Sequence, residues 1–114
     1  MIDINQEARK TLNKLETVTV TYQYPRNFNT LPIVTYYTLT ERSGMAYDNT
    51  EVMQDGTIQI DIWGSNAKIC TDLAIQIHNL MVTDGWNREM SMDIPNPDRE
   101  VYHKTMRLTK SFQL

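Results

Sequence analysis

The chain has 114 residues, of which 40% are hydrophobic and 22% charged, with a formal net charge of −3. That balance fits one ordinary folded domain over 1–114 and excludes a disordered chain. It also excludes a helical membrane protein, because no apolar run approaches the roughly 20 residues needed to cross a bilayer. No stretch is rich in Lys or Arg, so a phosphate-neutralising nucleic-acid surface and a basic membrane-docking surface are both excluded.

The N-terminus, MIDINQEARK, carries acids and amides where a signal peptide needs a basic start and an apolar stretch. The expected site of folding is therefore a cytoplasm. Ile4, Ala8, Leu12 and Leu15 recur at helical spacing and predict a helix over 2–15, with Asp3 and Lys14 suited to the helix dipole. Thr17 to Tyr24 alternates, with Val18, Val20, Tyr22 and Tyr24 on one face, and reads as a strand that Pro25 ends. Asn27, Asn29 and Pro32 mark a loop. Ile33 to Arg42 is rich in β-branched and aromatic residues and reads as a second strand. Both of its faces are mixed, which fits cover either by its own helices or by a neighbouring molecule.

Residues 43–55 read as a polar connecting loop. Thr57 to Trp63 is a strand with Ile58, Ile60 and Ile62 on one face and Gln59 and Asp61 on the other. Ser65 or Asn66 can cap a helix that runs to about Asp84, where Gly85 supplies the stop. Its apolar residues Ile69, Cys70, Leu73, Ile77, Leu80 and Met81 fall within a stripe of roughly 120° and should pack on the sheet. Ile75 and Val82 lie on the opposite face, with Thr71 and His78 nearby. Trp86 to Ile94 alternates as a fourth strand, Pro95 to Asp98 forms a turn, and Val101 to Phe112 makes a long last strand. One face of that last strand carries Tyr102, Met106, Leu108 and Phe112, and the other His103, Thr105, Arg107 and Thr109. The expected fold is α+β, in the order α-β-β-β-α-β-β, with hairpin-type connections giving a largely antiparallel sheet of about five strands and helices on one face.

Chemistry-bearing patterns are sparse. The four glycines form no phosphate-binding loop, and no CxxC occurs. Cys70, His78 and His103 have no metal-ligand spacing, and Cys70 and His78 lie about 80° apart around their helix. Cys70 reads as a small core residue. No nucleophile–base pair is specified. Asp61 and Glu89 could pair as carboxylates, but polar strand faces carry such residues routinely. No catalytic residue, cofactor or metal is expected. The outward pair Ile75 and Val82 suggests a partner surface.

Four pieces in order carry a resemblance: LPIVTYYTLTER with the polar loop around Ala46, Tyr47 and Asp48; TIQIDIWGSNA; a helix ending in MVTDGWNR; and VYHKTMRLT. Together, over residues 31–109, they resemble the tail-completion (tail-terminator) proteins of long-tailed bacteriophages and prophages. The resemblance implies a structural, non-enzymatic virion protein. It would form a homo-oligomeric, hexameric ring on the head-proximal end of the tail, between the tail tube protein and the head connector. DNA would pass only through the lumen, no membrane would be involved, and assembly would start in the host bacterial cytoplasm. The interface residues expected on this reading are Met45, Tyr47, Asp48, Glu51 and Val52 in the polar loop and Ile75, His78 and Val82 on the helix. Two other functions fit the pattern: another neck component such as a head-closure protein, and a small-molecule-binding α+β module, which would need a lined pocket with convergent polar groups.

Overall fold

The computed structural model describes residues 1–16, 18–47 and 50–114, with the backbone alone over 45–47. Among these residues the order is α1 (Ile4–Leu12), β1 (Thr19–Tyr22), β2 (Ile33–Tyr47), β3 (Thr50–Gly64), α2 (Ala67–Thr83), β4 (Asn87–Ile94) and β5 (Tyr102–Gln113). The five strands form one sheet in the order β1-β2-β3-β5-β4. All neighbours are antiparallel except β1 and β2, which run parallel. The α+β class, the element order and the mostly antiparallel sheet agree with the sequence reading.

Alternation along β3 decides which face the helices cover. Ile58, Ile60 and Ile62 are fully buried, and the register sets them beside Val34 and Tyr36 of β2 and Met106 and Leu108 of β5. Both helices pack on that face and complete one core: α1 brings Ile4, Ala8 and Leu12, and α2 brings Cys70, Leu73, Ala74, Ile77 and Met81. Each fully buried aliphatic side chain contributes about 1.5–3 kcal/mol through removal from water, so this face dominates the stability.

Caps set the helix limits. The Asp3 carboxylate accepts from the Gln6 N–H and starts α1, and the Asn66 amide oxygen accepts from the Ile69 N–H and starts α2. Gly85, at φ +94°, closes α2. The Gly85 N–H donates to the Val82 carbonyl and the Trp86 N–H to the Met81 carbonyl, which satisfies two carbonyls the last turn leaves open. The same turn drops Trp86 into the core, edge-on to Phe112 at 5.7 Å. Helix α1 is shorter than the expected 2–15. Its chain turns at Asn13, and Lys14 reaches across to Asp84 at 3.1 Å instead of closing the helix dipole.

Three further expectations are corrected. Residues 43–55 are not a loop: β2 and β3 run on as a ladder of 15 residues each, with Ser43 opposite Gln54 and Tyr47 opposite Thr50. Ser43 is exposed and Glu51 half-buried, and cross-strand pairing satisfies the backbone without requiring an apolar face. β1 does not form a hairpin with β2. The connection over Gln23–Pro32 is too long and too rich in Pro and Asn for a tight turn, and it crosses the other face of the sheet, where Tyr24 and Phe28 pack on Trp63 at 5.4 and 5.3 Å. Tyr102 is 46% exposed and stands apart from the Met106, Leu108 and Phe112 core, because it lies at the end of β5 opposite Gly64.

Candidate functional site

Two regions of surface stand out, and the first is the β2–β3 arm. β1 pairs with β2 only over Ile33–Tyr36 and β4 stops opposite Thr109, so beyond Thr57 the ribbon has β5 alone beside it, as far as Gln113. The molecule measures 54 × 25 × 23 Å as a result. The arm is anchored at its base. The Gln54 side chain, 1% exposed, accepts from the Ile2 N–H and donates to the Ile2 carbonyl. Gly56 lies so close to Ile4 that a Cβ there would sit 2.8 Å from Ile4 Cδ1. Four of the interface candidates lie on this arm. Met45 pairs in the ladder with Met53, and Tyr47 with Thr50. Glu51 and Val52 are half-buried, and the Val52 carbonyl accepts from the Leu114 N–H. Asp48 lies outside the described residues.

The second region is the outer side of α2. Ile75 and Val82 are 56% and 46% exposed. Beside Ile75 a groove of about 240 Å³ opens between α2 and β4, lined by Thr71, Ile75 and His78 on one side and Arg88, Ser91 and Lys104 on the other. The His78 Nδ1 is buried there without a hydrogen-bond partner among the described residues. Lys104 is tied to Asp93 at 3.1 Å. The structure therefore divides the seven described candidates between the β2–β3 arm and α2 and does not merge them into one patch.

Sequence reasoning missed the most ordered polar cluster, on the sheet face away from the helices. His103 stacks on Trp63, with ring centroids 3.7 Å apart and planes 13° from parallel. Its Nε2 lies 2.8 Å from the Asp61 carboxylate. The Trp63 indole N–H donates to Thr35 Oγ1, and the Gln59 amide donates to Asp61. Burial and then the Asp61 charge push the Tyr37 phenol above its ordinary value. The signal was present in the spacing, since Asp61, Trp63, His103 and Thr105 all fall on the polar faces of their strands, but only the β3–β5 register puts His103 opposite Trp63. No hydroxyl or thiol among the described residues hydrogen-bonds to His103, so the arrangement orients and packs an imidazole without activating a nucleophile.

The other candidate groupings separate. Asp61 and Glu89 lie on β3 and β4 with β5 between them, so their strands are about 10 Å apart at the usual spacing, and Glu89 is further displaced along β4 from Met92, which the register sets level with Asp61. Cys70 is buried against the helix face, where burial pushes its thiol up, whereas His103 is on the opposite face and His78 in the groove. No group of three His, Cys, Asp or Glu converges among the described residues. No helix of the described residues is long and apolar enough to cross a membrane.

What these features define is an α+β protein with a projecting β-arm and an exposed apolar helix face. Compared with known proteins, the sequence matches no family model, and no curated relative resembles it.

Proposed function

We propose that this chain is a structural virion protein that completes the tail of a long-tailed bacteriophage or prophage. It forms a ring at the head-proximal end of the tail tube and joins the tube to the head connector. The observation that carries the reading is the anchored β2–β3 arm, which runs past β1 and β4 with β5 on one side and an open β2 edge on the other. Such an open edge is suited to meeting a neighbour. Ile75 and Val82 support it, as exposed apolar side chains two turns apart on the outer face of α2. The ordered resemblance over residues 31–109 supplies the particular assembly.

On this reading the protein works by shape and contact and uses no catalytic residue, cofactor or metal. Its partners are copies of itself, the tube protein and the connector. DNA crosses the lumen without being gripped, in keeping with a protomer of net charge −3. The protein is made in the host cytoplasm and ends in the virion neck.

The test is light scattering with negative-stain imaging of the pure protein, with and without tail tubes. Rings with a central hole, or caps on tube ends, are expected. A protein that stays monomeric and leaves tube ends bare overturns the reading, and binding to filled heads in place of tubes assigns it to head closure.

A further inference from the structure

The α2–β4 groove and the tip of the arm are chemically complementary. From Ser43 to Ala67 the sequence contains no Lys or Arg, and Glu51 stands next to Val52 near the tip. The groove offers Arg88, exposed and with no ion-pair partner among the described residues, beside the exposed Ile75. Lys104 is already committed to Asp93, so Arg88 is the cation left to receive a carboxylate.

The register forbids this contact within one molecule. Arg88 stands opposite Leu108, and Leu108 opposite Ile58, so the groove is level with Ile58 on β3. The tip at Thr50 is eight residues farther along the same strand, roughly 25 Å away at 3.3 Å per residue.

We propose that the arm tip of one copy docks in the α2–β4 groove of the next, with Glu51 meeting Arg88 and Val52 lying against Ile75. This deepens the ring reading and rests on it. Tip and groove are different surfaces, so the contact is head-to-tail, the kind that closes into a ring or runs on as a filament.

The experiment makes Arg88→Glu and Glu51→Arg singly and together. It follows self-association by light scattering, alone and on tail tubes, with circular dichroism and thermal melting to verify the fold. Each single reversal should weaken association about tenfold or more, and the pair should recover most of the loss. Single reversals that leave association unchanged, or a pair no better than the worse single, overturn the proposal. Both reversals sit at exposed or half-exposed positions, but a second arm guards against an unfolded variant. In this arm Val52→Cys and Ile75→Cys are combined in one chain, and the buried Cys70 is left as it is. Oxidation should give a ladder of covalent oligomers that neither single variant gives. Rings or tube caps without the ladder overturn the contact and leave the ring reading standing. A ladder in a protein that never caps tubes keeps the contact and removes the tail assignment. No association in either setting removes both.

Discussion

Gly56 and Ile4 show how one missing side chain holds the arm to the body of the protein. Ile4 is fully buried and fills the space a Cβ at position 56 would need, with its Cδ1 2.8 Å and its Cγ2 2.9 Å from that point. Gly56→Ala should therefore cost about 1–3 kcal/mol of stability by overpacking. The loss should shrink when Ile4→Val removes the Cδ1, and a double-mutant cycle in urea measures that coupling. Asp84 fastens α1 to α2 from the other side. The Thr11 hydroxyl and then the Lys14 ammonium hold its carboxyl below the ordinary carboxylate range. A folded value below the unfolded one contributes stability above the unfolded value of about 3.9 and loses it as pH falls through the folded value. Asp84→Asn should accordingly melt a few degrees below wild type at pH 7, and the gap should close below about pH 4. A gap that is unchanged at pH 2.5 would show that charge plays no part.

Among the elements, the β2–β3 ribbon departs furthest from expectation. Its inner half is core, with Ile58, Ile60 and Ile62 under the helices, and its outer half is an exposed arm of the same two strands. Joining Gly44 to Met53 through a two-residue Asn-Gly turn in place of residues 45–52 keeps Gln54 and Gly56, which secure the base. This variant should fold with a near-native melting temperature and fail to form rings, as seen by sedimentation and negative stain. Removing residues as far as 54 would also take away the Gln54 side chain that pairs with Ile2, and would confuse loss of assembly with loss of fold.

For the whole molecule, one sheet face is closed by two helices and the other carries the Asp61–His103–Trp63 cluster, with the 23–32 connection covering its Trp63 end. On the proposed ring reading, the surfaces assigned to partners are the arm, the open β2 edge and the outside of α2. Ile75→Asp should change folding stability by less than about 0.5 kcal/mol, since the side chain is 56% exposed. It should weaken self-association, read as a drop in scattering mass at fixed concentration. A collapse of the circular dichroism spectrum instead would mean that Ile75 supports the fold.

Much of this was legible in the sequence, because periodicity and capping are local. The alternation of Ile58, Ile60 and Ile62, the Asn66 and Gly85 limits of α2, and the exposure of Ile75 and Val82 all follow from side-chain spacing and backbone preference within a few residues. Pairing is not local. Whether the polar residues 43–55 form a loop or a ladder depends on β2 and β3 meeting in register, and polar side chains on an exposed ribbon leave no apolar period to read. The parallel setting of β1, the stacking of His103 on Trp63 and the groove between α2 and β4 each join segments distant in the chain. Local propensity determined the elements and their buried faces; strand order and register, set by which apolar faces can be buried together, decided which polar residues became neighbours.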